Sequence, residues 1–336
     1  MATDVFYLVT EITIAVLAVF GNGLVMWVIF KYKRMQTITN LFILSLAVAD
    51  FLVGLLAIPF AIMTSRGIPS NFQGCLFMLS FLLWLCTSST YSLIGVSVDR
   101  YLAIAHSLRY HTIMTTKSAV VMITISWLVA GIIGTLPLMG WNKGRPSEPQ
   151  CLFMEVIHME YMFFNFIFAI LVPLVVMLVI YGSIYHAAKK QIRSIAALEV
   201  GLPQTNSRRR TKKELKAVKS LAVIFIVFMV CWFPIYILNT IFLFCPTGCD
   251  VPLELLLFAI LLSHSNSAVN PFLYGFGRDF RTAYRRAFVT LFPCAKDACH
   301  GPGIARDREN SITMSVIDRI PTSPTYVNGN IETANS

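Results

Sequence analysis

Seven long apolar stretches constrain this chain more than any other feature in it. A membrane-spanning helix needs about 20 mostly apolar residues. Residues 7–30, 40–64, 75–104, 118–139, 158–185, 216–244 and 252–276 all qualify. Their length and their lack of strict alternation exclude barrel strands. Composition agrees, since 56% of the 336 residues are apolar and only 13% are charged, against about 25% charged in a soluble domain. That balance excludes a disordered chain and an ordinary cytosolic enzyme. The first stretch starts close to Met1 and no small-residue cleavage site follows it, so it reads as a retained helix, not a signal peptide. The expected fold is an all-α bundle of seven transmembrane helices.

Basic residues orient the bundle. The links after spans one, three and five and the segment after span seven hold 24 of the 27 Lys and Arg residues, while the opposite side holds only Arg66, Lys143 and Arg145. The N-terminus is therefore expected outside and the C-terminus in the cytoplasm. Cys75, Cys151, Cys245 and Cys249 fall at or beyond the outer ends, in the oxidising compartment. Cys86 and Cys231 lie within spans and read as buried thiols. After span seven, residues 278–292 place Phe280, Tyr284 and Phe288 on one face and Arg281, Arg285 and Arg286 on another. This pattern suits a helix lying on the inner leaflet. Cys294 follows it and is either a palmitoylation site or an unmodified thiol. The expected division is a seven-helix membrane domain over 1–292 and a disordered cytoplasmic tail over 293–336. There is no phosphate-cradling glycine loop, no Cys/His cluster with metal spacing and no catalytic set, and no nucleic-acid partner is expected.

Ionisable residues inside spans are expensive and usually functional. Three lie deep: Glu11, Asp50 and His264. Asn22, Ser89, Asn266 and Asn270 lie at a similar depth to Asp50. One carboxylate with hydroxyl and amide oxygens suits a small hard cation such as Na+, or else a polar network satisfied without an ion. Glu11 and His264 either pair across spans one and seven, neutralising each other in low dielectric, or Glu11 snorkels and His264 is unrelated.

Short motifs recur once per span. Gly21-Asn22 stands in span one, Leu46-Ala47-Val48-Ala49-Asp50 in span two, Asp99-Arg100-Tyr101 at the end of span three and Trp127 in span four. Cys231-Trp232-Phe233-Pro234 stands in span six and Asn270-Pro271-Phe272-Leu273-Tyr274 ends span seven. Together and in order they resemble the rhodopsin-like G-protein-coupled receptors. Gly140-Trp141-Asn142, Met159-Glu160-Tyr161-Met162, Lys213-Glu214-Leu215-Lys216 and Ser263-His264-Ser265-Asn266-Ser267 look like the adenosine receptors within that family, as does Asn239 with Leu243-Phe244-Cys245-Pro246.

The resemblance implies a plasma-membrane receptor for adenosine or a close purine, acting on a heterotrimeric G protein. The short tail, similar to that of receptors coupled to inhibitory G proteins, favours that type. The resemblance also pairs Glu11 with His264, gives Phe153 as a stacking surface and gives Asn239 as the grip on the purine. Trp232, Tyr236 and Asn239 repeat at i, i+4 and i+7 and form one inward stripe on span six. Ile260, Ser263 and His264 form a stripe on span seven, and Leu83 and Cys86 one on span three. The chain departs from the family where Met154, Tyr236 and Cys86 replace an acidic residue, a histidine and a threonine, which favours as an alternative a receptor of the same fold for another small ligand. A seven-helix transporter or channel would need a continuous polar path, and only the Asp50 cluster hints at one.

Two disulfides are implied by the same resemblance, Cys75–Cys151 and Cys245–Cys249. So is sodium at Asp50, Ser89, Asn266 and Asn270. At the inner end, Arg100 is expected to rest against Asp99 and Glu214, with Tyr101 beside them and with Tyr181 and Tyr274 stabilising the open form. Receptor kinases and arrestin are expected on the Ser/Thr-rich tail, and membrane lipid around the spans.

Overall fold

In hydrocarbon no water is available to a free backbone N–H or C=O, so each apolar stretch must satisfy its own groups as a helix. The computed structural model describes the backbone of residues 2–198, 206–245 and 251–291, and the side chains of 4–187, 189, 223–242, 244–245 and 251–290. Among the described residues seven helices are long and apolar enough to cross a bilayer: Asp4–Lys31, Ile38–Ser65, Phe72–Ala105, Thr116–Thr135, Met159–Ala187, Val223–Phe242 and Leu253–Gly275. They are called spans one to seven.

Local chemistry sets their ends. The side chains of Thr37, Asn71 and Thr115 cap the starts of spans two, three and four by accepting from the backbone N–H of Asn40, Gln73 and Ser118, which satisfies a donor that has no partner in the first turn. Span four stops at Thr135, short of the expected residue 139. Pro137 has no N–H with which to continue the ladder. The helix that contains span six runs Asn206–Phe244, well before the expected residue 216, because its basic approach is rich in good helix formers. Pro59 and Pro173 each deprive a carbonyl four residues earlier of its donor. The turns just before them widen to π geometry at Val53–Ala57 and Ile167–Leu171, as a helix does when its ladder is interrupted.

The spans pack in a ring, one against two and seven, three against two, four and five, and six against five and seven. Spans three and four approach so closely that a Cβ on Gly134 would stand 2.4 Å from the backbone N of Trp84. Small residues permit such contacts where lipid supplies no hydrophobic drive between helices.

Burial is distributed as in a membrane solvent. Phe20, Phe30, Leu128, Val179 and Phe272 are each more than 60% exposed, facing the apolar surroundings. Glu11, Asn22, Asp50, Asp99, Asn165, His264, Asn266 and Asn270 are buried in the interior. The first compact unit ends at Arg285 and contains all seven spans and the start of a further helix, Arg278–Leu291. Within it Phe280 packs on Tyr274 with ring centroids 5.5 Å apart, and the Tyr284 hydroxyl donates to the Pro271 carbonyl at 3.2 Å. The second unit is described only over residues 286–291, which continue that helix. The expected tail, 293–336, and Cys294 lie outside the described residues.

Candidate ligand-binding site

Between spans three, five, six and seven the helices splay around a cavity of about 480 Å³, within the size range of small-molecule sites. Its mouth is shaped by the link between spans four and five. A disulfide joins Cys75 to Cys151, and the Cys151 N–H donates to the Gly67 carbonyl at 2.9 Å. Lys143 donates from its backbone N–H to the Val156 carbonyl at 2.9 Å and from Nζ to the Met154 carbonyl at 2.8 Å. The single helical turn Phe153–Val156 is thereby held over the opening, and Phe153, Met154 and Glu155 line it. Cys245 is also disulfide-bonded. Cys249, expected as its partner, lies outside the described residues.

The walls follow from helical periodicity. Trp232, Tyr236 and Asn239 line the cavity from span six, Ile260, Ser263 and His264 from span seven, and Leu83 and Cys86 from span three. Ser263 Oγ donates to the Ile260 carbonyl at 2.7 Å, so its lone pairs remain for a ligand donor. Glu11 does not line the cavity. Its carboxylate stands behind His264, with oxygens 2.8 and 3.0 Å from Nδ1, and fixes the imidazole from the rear. Thr87, Thr90, Tyr7 and Asn165 also line the cavity and were not anticipated. Asn165 is a lone amide in an apolar span, where a search for ionisable groups passes over it.

Deeper, Asp50 is fully buried. Its Oδ1 accepts from Ser89 at 2.7 Å and from Ser267 at 2.9 Å, and its Oδ2 from Asn270 at 2.7 Å. Asn266 is buried nearby but is not among these three donors, and Ser267, not anticipated, is. Asn22 donates to the Ala18 and Ser267 carbonyls, both at 2.9 Å, and so braces the segment that carries Ser267. The amide oxygens of Asn22 and Asn270 have no hydrogen-bond partner among the described residues. A carboxylate, two hydroxyls and free amide oxygens are the donor set a hard cation takes.

At the far end of span three, Arg100 Nε donates to Asp99 at 2.9 Å, and Nη2 reaches both Asp99 and Thr39. Asp99 also accepts from Thr39 at 2.8 Å and from the Tyr110 hydroxyl at 2.7 Å. Burial, and then the bond to Asp99, push the Tyr110 phenol up to about 12. Thr39 and Tyr110 were not anticipated as members of this lock. The side chain of Glu214 lies outside the described residues. The Tyr101 ring packs edge-on to His106. Ser97 donates to the Tyr181 hydroxyl at 3.5 Å, while the Tyr274 hydroxyl is buried with no partner among the described residues.

A family model described as 7 transmembrane receptor (rhodopsin family) matches residues 21–274. The chain is 42% identical over 295 residues to the adenosine receptor A2a of Homo sapiens, covering 83% of this chain and 71% of that protein. It is 39% identical over 341 residues to the adenosine receptor A2b of Gallus gallus, covering 95% of this chain and 98% of that protein. Against the adenosine receptor A2b of Rattus norvegicus the identity is 42% over 322 residues, covering 90% and 95%. With its seven spans, its tethered mouth, its buried Asp50 and its Arg100–Asp99 contact, the chain belongs to the rhodopsin family of seven-transmembrane, G-protein-coupled receptors, and is a multi-pass plasma-membrane receptor, not an enzyme.

Proposed function

We propose that this receptor binds adenosine or a closely related purine nucleoside in the cavity below Phe153. The observation that carries the reading is that Phe153, Asn239, Ser263 and His264 line one cavity, in a chain whose similar proteins bear adenosine receptor names. Phe153 offers a flat face to a heterocycle. Asn239 offers a donor and an acceptor side by side, matching a purine edge. His264, held by Glu11, and Ser263 offer partners for sugar hydroxyls. The cavity end faces outside in this reading, as the distribution of basic residues supports, and the Arg100 end faces the G protein.

Agonist binding needs to favour the open state by only a few kcal/mol to shift the population. That opening breaks the Asp99–Arg100–Thr39 contacts. The oxygen set at Asp50 supports a sodium ion held by Asp50, Ser89 and Asn270, with Ser267 and the neighbouring Asn266. The ion would supply the positive charge that balances a buried carboxylate.

Cyclic AMP in transfected cells, with adenosine and then with adenosine deaminase, tests the ligand. A response to adenosine that deaminase removes supports it, and silence with surface-expressed receptor sinks it. The inhibitory coupling expected from the tail rests on no described residue, and the same assay reads it. A fall in cyclic AMP assigns the inhibitory class and a rise the stimulatory one. A second reading, the same fold with a different small ligand, is favoured by Met154, Tyr236 and Cys86 lining the cavity.

A further inference from the structure

Asn165 on span five and Tyr236 on span six are both buried, 2% and 7% exposed, and both line the cavity. Asn165 Nδ2 donates to the Tyr236 hydroxyl at 3.3 Å, and Asn165 Oδ1 has no partner among the described residues. One bond between an amide and a phenol leaves at least one donor and one acceptor unused, whichever way the amide is turned. The neighbouring hydroxyls do not compete. Thr87 and Thr90 spend their protons on the Leu83 and Cys86 carbonyls at 2.7 and 3.2 Å. The Tyr236 ring packs between Phe166 and Trp232, with centroids 5.1 and 5.9 Å away, which holds its hydroxyl in place. The surrounding wall of Leu83, Cys86, Met162, Ala169 and Ile170 is apolar, which strengthens any bond made there.

A buried amide oxygen with no partner is rare in a finished structure. We propose that Asn165 and Tyr236 form a donor–acceptor pair that reads one hydroxyl of the bound nucleoside, a third polar anchor beside Asn239 and the Ser263–His264 pair. A hydroxyl fits because it both donates and accepts from a single small atom. The inference rests on the purine-nucleoside reading above, and it makes Asn165 a determinant of specificity.

The test uses full-length receptor in membranes, with affinities from competition against tritiated adenosine. The competitors are adenosine and its 2′-, 3′- and 5′-deoxy analogues. Besides any analogue weakened through the Ser263–His264 contacts, the one lacking the hydroxyl read here is expected to bind wild type more weakly than adenosine by roughly 5- to 150-fold, the range for one unmade buried bond. Tyr236→Phe, which keeps the packed ring, should weaken adenosine by a similar factor and leave that one analogue unchanged, and Asn165→Leu should do the same. A loss of packing alone would weaken all four competitors equally. Equal shifts for all four, or no shift for any, overturn the proposal while leaving the purine reading intact. Failure of wild type to bind adenosine overturns that reading and the hydroxyl pair with it. Should Asn165→Leu not reach the membrane, Tyr236→Phe decides alone.

Discussion

Glu11 on span one and His264 on span seven meet at 2.8 Å, both buried, and only the histidine touches the cavity. The carboxylate therefore acts on ligand through the ring it orients. Removing one partner from a buried pair leaves the other uncompensated, at about 3–5 kcal/mol. His264→Ala and Glu11→Ala should each lower the melting temperature of detergent-solubilised receptor. The double variant should lose much less than the two losses combined, because no orphan group remains. Strict additivity would show that the two side chains do not support each other.

Asp50 gives the second prediction. Its three donors come from spans three and seven, so it ties both to span two. Sodium held there would brace the resting packing, and agonist affinity should fall as NaCl replaces a bulky organic cation at constant ionic strength. Asp50→Asn should remove that dependence, and Ser267→Ala should weaken it. A salt dependence retained in Asp50→Asn places the ion elsewhere.

The lock around Asp99 gives the third. Thr39 and Tyr110 each donate to its carboxylate, and a bond to a charged group contributes about 1.5–3 kcal/mol. Tyr110→Phe should therefore raise basal signalling without agonist, and Thr39→Ala should raise it further by also freeing Arg100. The Tyr110 phenol, pushed up to about 12, donates throughout the physiological range. Because its folded pKa lies above its ordinary value, its contribution is present below pH about 10 and lost as pH rises through about 12. Basal activity in Tyr110→Phe equal to wild type would remove the tyrosine from the lock.

Legibility in the sequence followed how strongly physics constrains each residue. The spans were readable because hydrocarbon admits little else, and the stripe Trp232–Tyr236–Asn239 because a helix repeats every 3.6 residues. The bond from Ser267 to Asp50 was not readable. Five consecutive residues from Ser263 to Ser267 are polar or titratable, and a one-residue difference in phase is fixed by packing, here by Asn22 on the Ser267 carbonyl. Thr39 and Tyr110 lie in or beside links whose path no periodicity specifies, so their convergence on Asp99 becomes visible only in three dimensions.

The ligand itself is the last prediction. Asn239 lines the cavity one turn above Tyr236, and losing a buried two-point contact should cost about 1–3 kcal/mol, hence roughly 5- to 150-fold in affinity. Asn239→Ala should weaken adenosine by at least the lower factor while surface expression persists. Phe153→Ala should do as much by removing the stacking surface. Met154 and Tyr236 supply the sharper comparison, because both line the cavity where the resemblance would place a carboxylate and an imidazole. If adenosine is the native ligand, Met154→Glu should keep or improve its affinity, since the bond from Lys143 holds Met154 by its backbone carbonyl, which the substitution keeps. If wild type ignores adenosine while Met154→Glu with Tyr236→His gains it, the receptor has this frame and another ligand. If neither responds, the purine assignment fails and the receptor class alone stands.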